Sequence, residues 1–475
     1  MATMTARPTT PRNPAPIERP DAVRNQCRLM VAVFVFVVAV VWAGAPGALR
    51  YLYPALALAM AVLLFVRSRA NYVSFVFWLY FLSPFLRRLV DWRLGFEDVS
   101  PLLLAPGLAT LVSVYVLATR GRTLARPGAL TFSCALAGIF FGTIVGLTRY
   151  SPVDVGRAFF NWVPPITFAF MLYEERERFA VYRKAIETAL LWGTIVMGVY
   201  GALQFFVLPP WDRSWMIGVA FNVFGEPEPM RMRVFSTMNA PATFATYTMA
   251  GLLMLFSLQS RLRIPAAALG FVALVLTTSR ASWLGLLPGL IFLAFQMPLK
   301  VRMRIFAGMI ACVLLAGASM LIPAVNEIVS SRLRTISSPT SDVSYRARIV
   351  GHEDGFARLS GEPFGEGLGS MDVDHATDGR DDRLGPHDST VLELLYSLGL
   401  PGTAMYLLGL ALGVARVVRV GLRTPFAVAM AAIFISYCSE VLLNSIFLGV
   451  LGFMVWTAVG MSLAEAERQT PGLGV

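Results

Sequence analysis

The sequence predicts an all-α, polytopic membrane protein of about fourteen spanning helices, twelve to fourteen, with one long outer loop before the last three. Three observations carry that prediction. The 475 residues are 56% hydrophobic and 15% charged, with a mean hydropathy of +0.64, whereas a soluble domain carries about 25% charged residues. Apolar runs of about 17–25 residues recur along nearly the whole chain, each long enough to cross a bilayer as a helix. The runs lack the period-two alternation of a membrane barrel, and backbone groups in lipid must be paired within their own segment, which leaves helices.

Taken in order, the expected spans are about 29–46, 50–66, 71–88, 100–118, 128–147, 158–173, 184–208, 238–258, 263–279, 281–298, 303–323, 390–416, 424–441 and 444–463. Residues 1–28 read as a polar, Pro-rich cytoplasmic tail before a retained helix. Eleven helices then fill 29–323, a loop fills 324–389, three helices fill 390–463, and 464–475 form a cytoplasmic tail. Gly399-Leu-Pro401-Gly402 should break or kink the twelfth helix. The chain shows no internal repeat of the kind that marks inverted-repeat transporters.

The basic residues set the orientation. With the N-terminus inside, Arg67/Arg69, Arg120/Arg122/Arg126, Arg176/Arg178/Arg183/Lys184, Arg261/Arg263, Lys300/Arg302/Arg304 and Arg416/Arg419/Arg423 all fall in short cytoplasmic loops. Both termini are then cytoplasmic. One cluster, Arg87/Arg88/Arg93, fits poorly because it lands outside. The net charge of +11 therefore reflects topology. It does not point to nucleic acid, since no basic stripe accompanies a soluble fold. Cys27, Cys134, Cys312 and Cys438 show no CxxC spacing, so neither a disulfide framework nor a zinc site is expected. Asp372, Asp374, Asp378 and Gly379 echo a calcium loop only with the wrong spacing, so no metal is expected.

Two outer segments stand out by length: about 209–237, and about 323–389, which holds all three histidines, His352, His375 and His387. Loops this long in a compact protein are usually functional. Three outer segments carry the chemistry. Arg233 precedes the eighth helix, Arg280 starts the tenth, and His387 stands where the long loop meets the twelfth. Such a set suits a diphosphate. Arginine offers planar bidentate donors that never lose their charge. At Arg280 a helix N-terminus adds unpaired N–H groups and a favourable dipole. His387 can be a neutral base near pH 7. Each residue also has a bland reading: an arginine at a helix end can be a snorkelling anchor, and a loop histidine can be merely solvated. Glu440, four residues before Asn444, is a functional candidate as an ionisable group at membrane depth, or else lies in the headgroup zone.

The pattern resembles the O-antigen ligase and Wzy-type polysaccharide polymerase superfamily. Arg233-Val-Phe-Ser-Thr-Met-Asn-Ala-Pro241 is similar to the family's Arg followed by a Gly/Asn-Pro-Asn turn leading into a helix. Ser279-Arg280-Ala-Ser-Trp283 resembles its Ser-Arg helix start. Pro363-Phe-Gly-Glu-Gly-Leu-Gly369, followed by the stretch from His387 to Gly402, resembles its Gly-x-Gly loop and His-(Asn/Asp) helix start. The departures are Asp388 in place of the usual asparagine, Asn239-Ala-Pro241 in place of Asn-Pro-Asn, and about two helices more than the family's dozen.

The resemblance implies a multi-pass glycosyltransferase of a bacterial inner membrane, with its long loop in the periplasm. Its donor would be a glycan on undecaprenyl diphosphate. Its acceptor would be a sugar hydroxyl on lipid A–core, a protein hydroxyl, or another lipid-linked glycan. Membrane lipid would surround it, and no cofactor or metal would be needed. Arg233 and Arg280 would hold the diphosphate and stabilise its charge as it leaves, and His387 would orient or deprotonate the acceptor, with inversion at the anomeric carbon. Arg231, Arg346, Arg348, Asp388 and Glu440 are the further expected substrate contacts. A transporter or flippase of polysaccharide precursors is the competing reading. It would place ionisable residues near the bilayer midplane, whereas these lie at outer helix ends.

Overall fold

The computed structural model describes residues 46–219, 223–296, 361–370 and 389–469, with scattered positions in 35–42, 299–317 and 352–357. Among the described residues the fold is all-helical, with fourteen α-helices. They are α1 (Pro46–Arg67), α2 (Arg69–Leu94), α3 (Leu104–Leu111), α4 (Val114–Arg120), α5 (Leu130–Leu147), α6 (Pro152–Glu174), α7 (Phe179–Val207), α8 (Pro210–Gly218), α9 (Pro241–Leu255), α10 (Arg263–Leu276), α11 (Arg280–Gln296), α12 (Thr390–Val420), α13 (Pro425–Cys438) and α14 (Gly449–Gln469). Seven stretches are long and apolar enough to cross a membrane: Gly47–Arg67, Arg69–Leu94, Pro101–Ala125, Pro127–Leu147, Arg176–Val207, Thr390–Val420 and Gly449–Gln469. The expected spans at 29–46 and 303–323 lie outside, or almost wholly outside, the described residues.

Helix packing runs α12 on α5, α14 on α6, α7 on both α2 and α10, and α13 on both α11 and α14. The interior is rich in fully buried aromatics, among them Trp162, Trp456, Tyr72, Tyr247 and Phe168. Large apolar side chains such as Val66, Phe140, Ile144, Phe206, Phe295 and Val418 face outward instead, as a lipid-facing surface requires.

Several boundaries differ from the expected ones for local reasons. The expected span at 100–118 is two short helices, α3 and α4, after a 3₁₀ turn at Pro101–Leu103. There the Thr110 hydroxyl donates to the Pro106 carbonyl at 2.6 Å, and the Ser113 hydroxyl donates to the Thr110 carbonyl at 2.7 Å. Such bonds compete with the helical ladder. The helix expected from 158 begins at Pro152, where the Ser151 side chain accepts from the Asp154 N–H as an N-cap. Four expected spans are only 14 to 17 residues long: α9, α10, α11 and α13. The tight joint expected at 442–443 runs instead from the end of α13 at Cys438 to Gly449. Polar side chains in that stretch, described below, draw its backbone out of the helix.

Ion pairs sort the helix ends. At one end Arg69 meets Glu175 at 3.3 Å, Arg120 meets Glu174 at 3.8 Å and Arg416 meets Glu467 at 3.1 Å. The buried Glu465 accepts from the Arg423 and Thr424 N–H groups at 2.9 and 2.7 Å. These are loops the basic-residue pattern groups on one side. At the other end the poorly fitting cluster has partners of its own. Arg87 pairs with Asp91 at 3.2 Å, Arg88 with Asp212 at 3.0 Å, and the Arg93 guanidinium lies 4.4 Å from the Trp92 ring centre. Arg87 and Arg88 are buried in the fold, so they are not the exposed loop charges on which the basic-residue rule rests.

Candidate functional site

The segment between α8 and α9 carries Arg233. An isolated antiparallel bridge joins Gly225 to Met232, and the Arg233 N–H donates to the Phe224 carbonyl at 2.7 Å. Beneath this turn Leu208, Trp215, Met216, Phe224, Met232 and Phe235 form a small separate core. Arg231 sits on the exposed side, paired with Glu226 at 3.0 Å and Glu228 at 3.3 Å. Arg233 points the other way. Its Nε donates to the Thr277 carbonyl at 3.0 Å and its Nη1 to the Val223 carbonyl at 3.0 Å. The next residue repeats the link, with the Val234 N–H donating to the Leu276 carbonyl at 3.0 Å. Thr277 lies three residues before Arg280, so these bonds join the two arginine segments directly.

Arg280 is half-buried and opens α11. The turn before it is strained: Thr278 is buried at φ 52°. Ser236, three residues after Arg233, is fully buried at φ 49°. Left-handed conformations at non-glycine residues cost about 1–3 kcal/mol each and persist only where surrounding structure enforces them. Both strained residues flank an arginine of the candidate site.

Behind Arg280 lies Glu440, fully buried. Its Oε2 accepts from the Thr246 hydroxyl of α9 at 2.9 Å and from the Asn444 amide at 2.7 Å. The Ser282 hydroxyl of α11 lies 3.3 Å from that of Thr246 and also stabilises the carboxylate. A Cβ at Gly285 would stand 2.9 Å from Glu440 Oε1, so the glycine lets the carboxylate reach α11. The same 439–448 turn docks the start of α12. The Thr390 N–H donates to the Val441 carbonyl at 2.9 Å, its hydroxyl donates to the Asn444 carbonyl, and the Ile446 N–H donates back to that hydroxyl at 2.9 Å. Glu440 thus ties α9 to α11, and its turn adds α12.

His387, Asp388, Arg346 and Arg348 lie outside the described residues. Ser389, two residues after His387, caps α12, its side chain accepting from the Leu392 N–H. His352 also reaches this cap, its Nε2 3.0 Å from the Ser389 hydroxyl. Nothing in the sequence around His352 marks its approach to the start of α12.

The glycine motif at 363–369 forms a lock between α5 and α12. The Glu366 N–H donates to the Tyr396 carbonyl at 2.8 Å, the Leu368 N–H to the Gly142 carbonyl at 2.9 Å, and the Leu400 N–H to the Pro363 carbonyl at 2.9 Å. Gly399 has φ 63° and kinks α12 as expected. A Cβ there would stand 2.2 Å from the Phe364 oxygen, and one at Gly367, φ 91°, would stand 2.2 Å from the Gly146 nitrogen. Only glycine fits either place. At the outer edge Arg149 pairs with Glu362 at 2.5 Å, and the Tyr150 hydroxyl donates to Glu366 at 3.1 Å. Burial and the Glu366 carboxylate push that hydroxyl up to about 12.

The residues that sequence reasoning missed hold the Arg233 turn from behind. They are Arg88, Gln204 and Asp212, all buried. A Pro209-Pro210 start with Asp212 in the first turn is a legible signal for α8, but a mid-helix glutamine gives none.

No curated protein matches the chain. The chain is a membrane protein by its long apolar helices, and its residues 265–407 match the family model described as O-Antigen ligase, the family that its motifs from Ser279 to Gly402 resemble.

Proposed function

We propose that the chain is a multi-pass glycosyltransferase of a bacterial inner membrane, with both termini cytoplasmic. It moves a glycan from undecaprenyl diphosphate to a sugar or protein hydroxyl on the periplasmic face. The observation that carries this reading is the joining of the Arg233 and Arg280 segments through the Thr277 and Leu276 carbonyls. Arg280 lies inside the family match, whereas Arg233 precedes it and Glu440 follows it. Packing adds both to the matched stretch.

In this reading Arg233 and Arg280 bind the two phosphates. Delocalised, permanently charged guanidinium groups suit a leaving group that gains negative charge as it departs. The acceptor oxygen attacks the anomeric carbon from the face opposite the diphosphate. The new C–O bond forms as the old one breaks, its electron pair leaves on the diphosphate, and the acceptor proton passes to His387. The anomeric centre inverts. Arg231, Arg346, Arg348 and Asp388 contact the substrates. Glu440, being fully buried, acts by holding α11 against α9 and against the turn that docks the start of α12.

Arg280→Ala and His387→Ala test the reading. Transfer should fall about 10²–10³-fold in Arg280→Ala, which loses a group that stabilises the leaving charge, and about 10²–10⁴-fold in His387→Ala, which loses the general base. A ligase defect leaves long glycans on the carrier lipid, and a polymerase defect leaves single repeats that are still transferred. Normal surface glycan in both variants rejects an enzyme at this site and favours a transporter.

A further inference from the structure

Ser236 has every polar group engaged. Gln204 Oε1 accepts from the Phe235 N–H at 3.0 Å and from the Ser236 N–H at 2.7 Å. The Ser236 carbonyl accepts from Arg88 Nη2 and from Gln204 Nε2 at 3.4 Å. Its hydroxyl donates to the Met197 carbonyl at 2.6 Å. Asp212 orients both donors: it lies 3.0 Å from Arg88 Nη1 and accepts from Gln204 Nε2 at 2.8 Å. The Tyr200 hydroxyl donates to it at 2.7 Å, and the Trp211 indole in turn donates to Tyr200 at 2.6 Å. Arg88, Asp212, Gln204 and Ser236 are all fully buried.

A serine at φ 49° does not hold that conformation unaided. Two consecutive N–H groups aimed at one amide oxygen, and a carbonyl aimed at a guanidinium, define it. The same backbone then runs three residues back to Arg233, whose side chain must reach across to Thr277. We infer that Arg88, Gln204 and Asp212 are positioning residues that fix the left-handed Ser236 turn and thereby aim Arg233 at the diphosphate of the substrate. The inference rests on the proposed role of Arg233 as a diphosphate ligand. The network has a charged core because its target is a backbone carbonyl. Arg88 can be buried beside that carbonyl only with Asp212 to balance it.

The experiment uses the full chain in lipid nanodiscs, with undecaprenyl diphosphate as probe. Gln204→Leu should weaken binding about tenfold, the worth of one charge-assisted contact, and Arg233→Ala should do at least as much. The double variant should be no weaker than Arg233→Ala alone, whereas Gln204→Leu combined with Arg280→Ala should multiply the two losses. A second readout needs no ligand. Trypsin should cut after Arg233 about tenfold faster in Gln204→Leu, since a released turn exposes the bond. Adding Ser236→Gly should reverse part of both effects, because glycine adopts the left-handed turn without enforcement. Where Gln204→Leu does not fold, Arg88→Lys keeps the positive charge beside Asp212 but lacks the fork that also reaches the Ser236 carbonyl, and should show the same pattern at smaller size. Multiplying losses for Gln204→Leu with Arg233→Ala, or unchanged cleavage after Arg233, overturns the inference. Unchanged binding in Arg233→Ala with faster cleavage in Gln204→Leu upholds the positioning and rejects the diphosphate role instead.

Discussion

Two buried polar clamps stand behind the candidate site, and they work differently. Behind Arg233, Arg88 and Asp212 form an ion pair with both partners fully buried. Burial pushes the Asp212 carboxyl above its ordinary range, and Arg88, Tyr200 and Gln204 oppose that rise. Behind Arg280, Glu440 has neutral donors only: Thr246, Asn444 and Ser282. The first clamp shapes one turn by forcing a residue into a strained conformation. The second joins separate helices, and no residue of its 439–448 turn is left-handed. A charge pair is used where a backbone carbonyl must be seized, and neutral donors suffice where helices need only be registered.

Removing one member of each clamp separates them. Asp212→Ala should have the largest effect, because it strands the Arg88 guanidinium in the interior. Breaking a buried pair in this way costs about 3–5 kcal/mol, visible as a large fall in the melting temperature of the detergent-solubilised protein. A fall no greater than that of a surface substitution would mean the pair is not buried in the folded protein. Glu440→Ala should cost less, about 1.5–3 kcal/mol for hydrogen bonds to a charged group. Glu440→Gln should recover most of that loss, since one amide oxygen still accepts from Thr246 and Asn444. Equal loss in both variants would show that the charge itself matters and would erase the contrast. The smallest effect belongs to Arg231→Ala. Its pairs with Glu226 and Glu228 are exposed, and such pairs are worth about 0–1 kcal/mol. Its melting temperature should match wild type, so any loss of glycan transfer would report substrate contact alone.

These clamps also mark how far the sequence could be read. Arg233 and Arg280 were legible because each sits in a short motif beside a helix start. The kink at Gly399 was legible because glycine and proline act on their own backbone. Arg88 stood out only as a poor fit to the charge pattern, because its partner Asp212 lies far along the chain and charge rules see only neighbours. Gln204 gave no signal, since its work is done by one amide against a turn far along the chain. The joint after α13 was misplaced for a related reason. Hydropathy registers apolar runs, but the bonds from Thr390 to Val441 and Asn444 arise only when α12 packs there. The glycine motif at 363–369 could be spotted, whereas its counterparts Gly142 and Gly146 looked like ordinary helix residues.

The four short helices have a consequence for how a lipid would meet this site. At 14 to 17 residues, α9, α10, α11 and α13 span about 21–26 Å, against about 30 Å of hydrocarbon. Arg263 and Arg423 mark the far ends of α10 and α13, so the shortfall falls at the ends where Thr278, Arg280 and Glu440 stand. Irregular backbone at that depth is tolerated when protein encloses it, as the two clamps do. In the proposed topology Arg233 and Arg280 therefore stand deeper than the outer ends of the longer helices, toward the acyl chains. In the proposed reaction a carrier lipid presents its diphosphate to them while its tail stays in hydrocarbon, avoiding a penalty of about 0.8 kcal/mol for every methylene drawn into water.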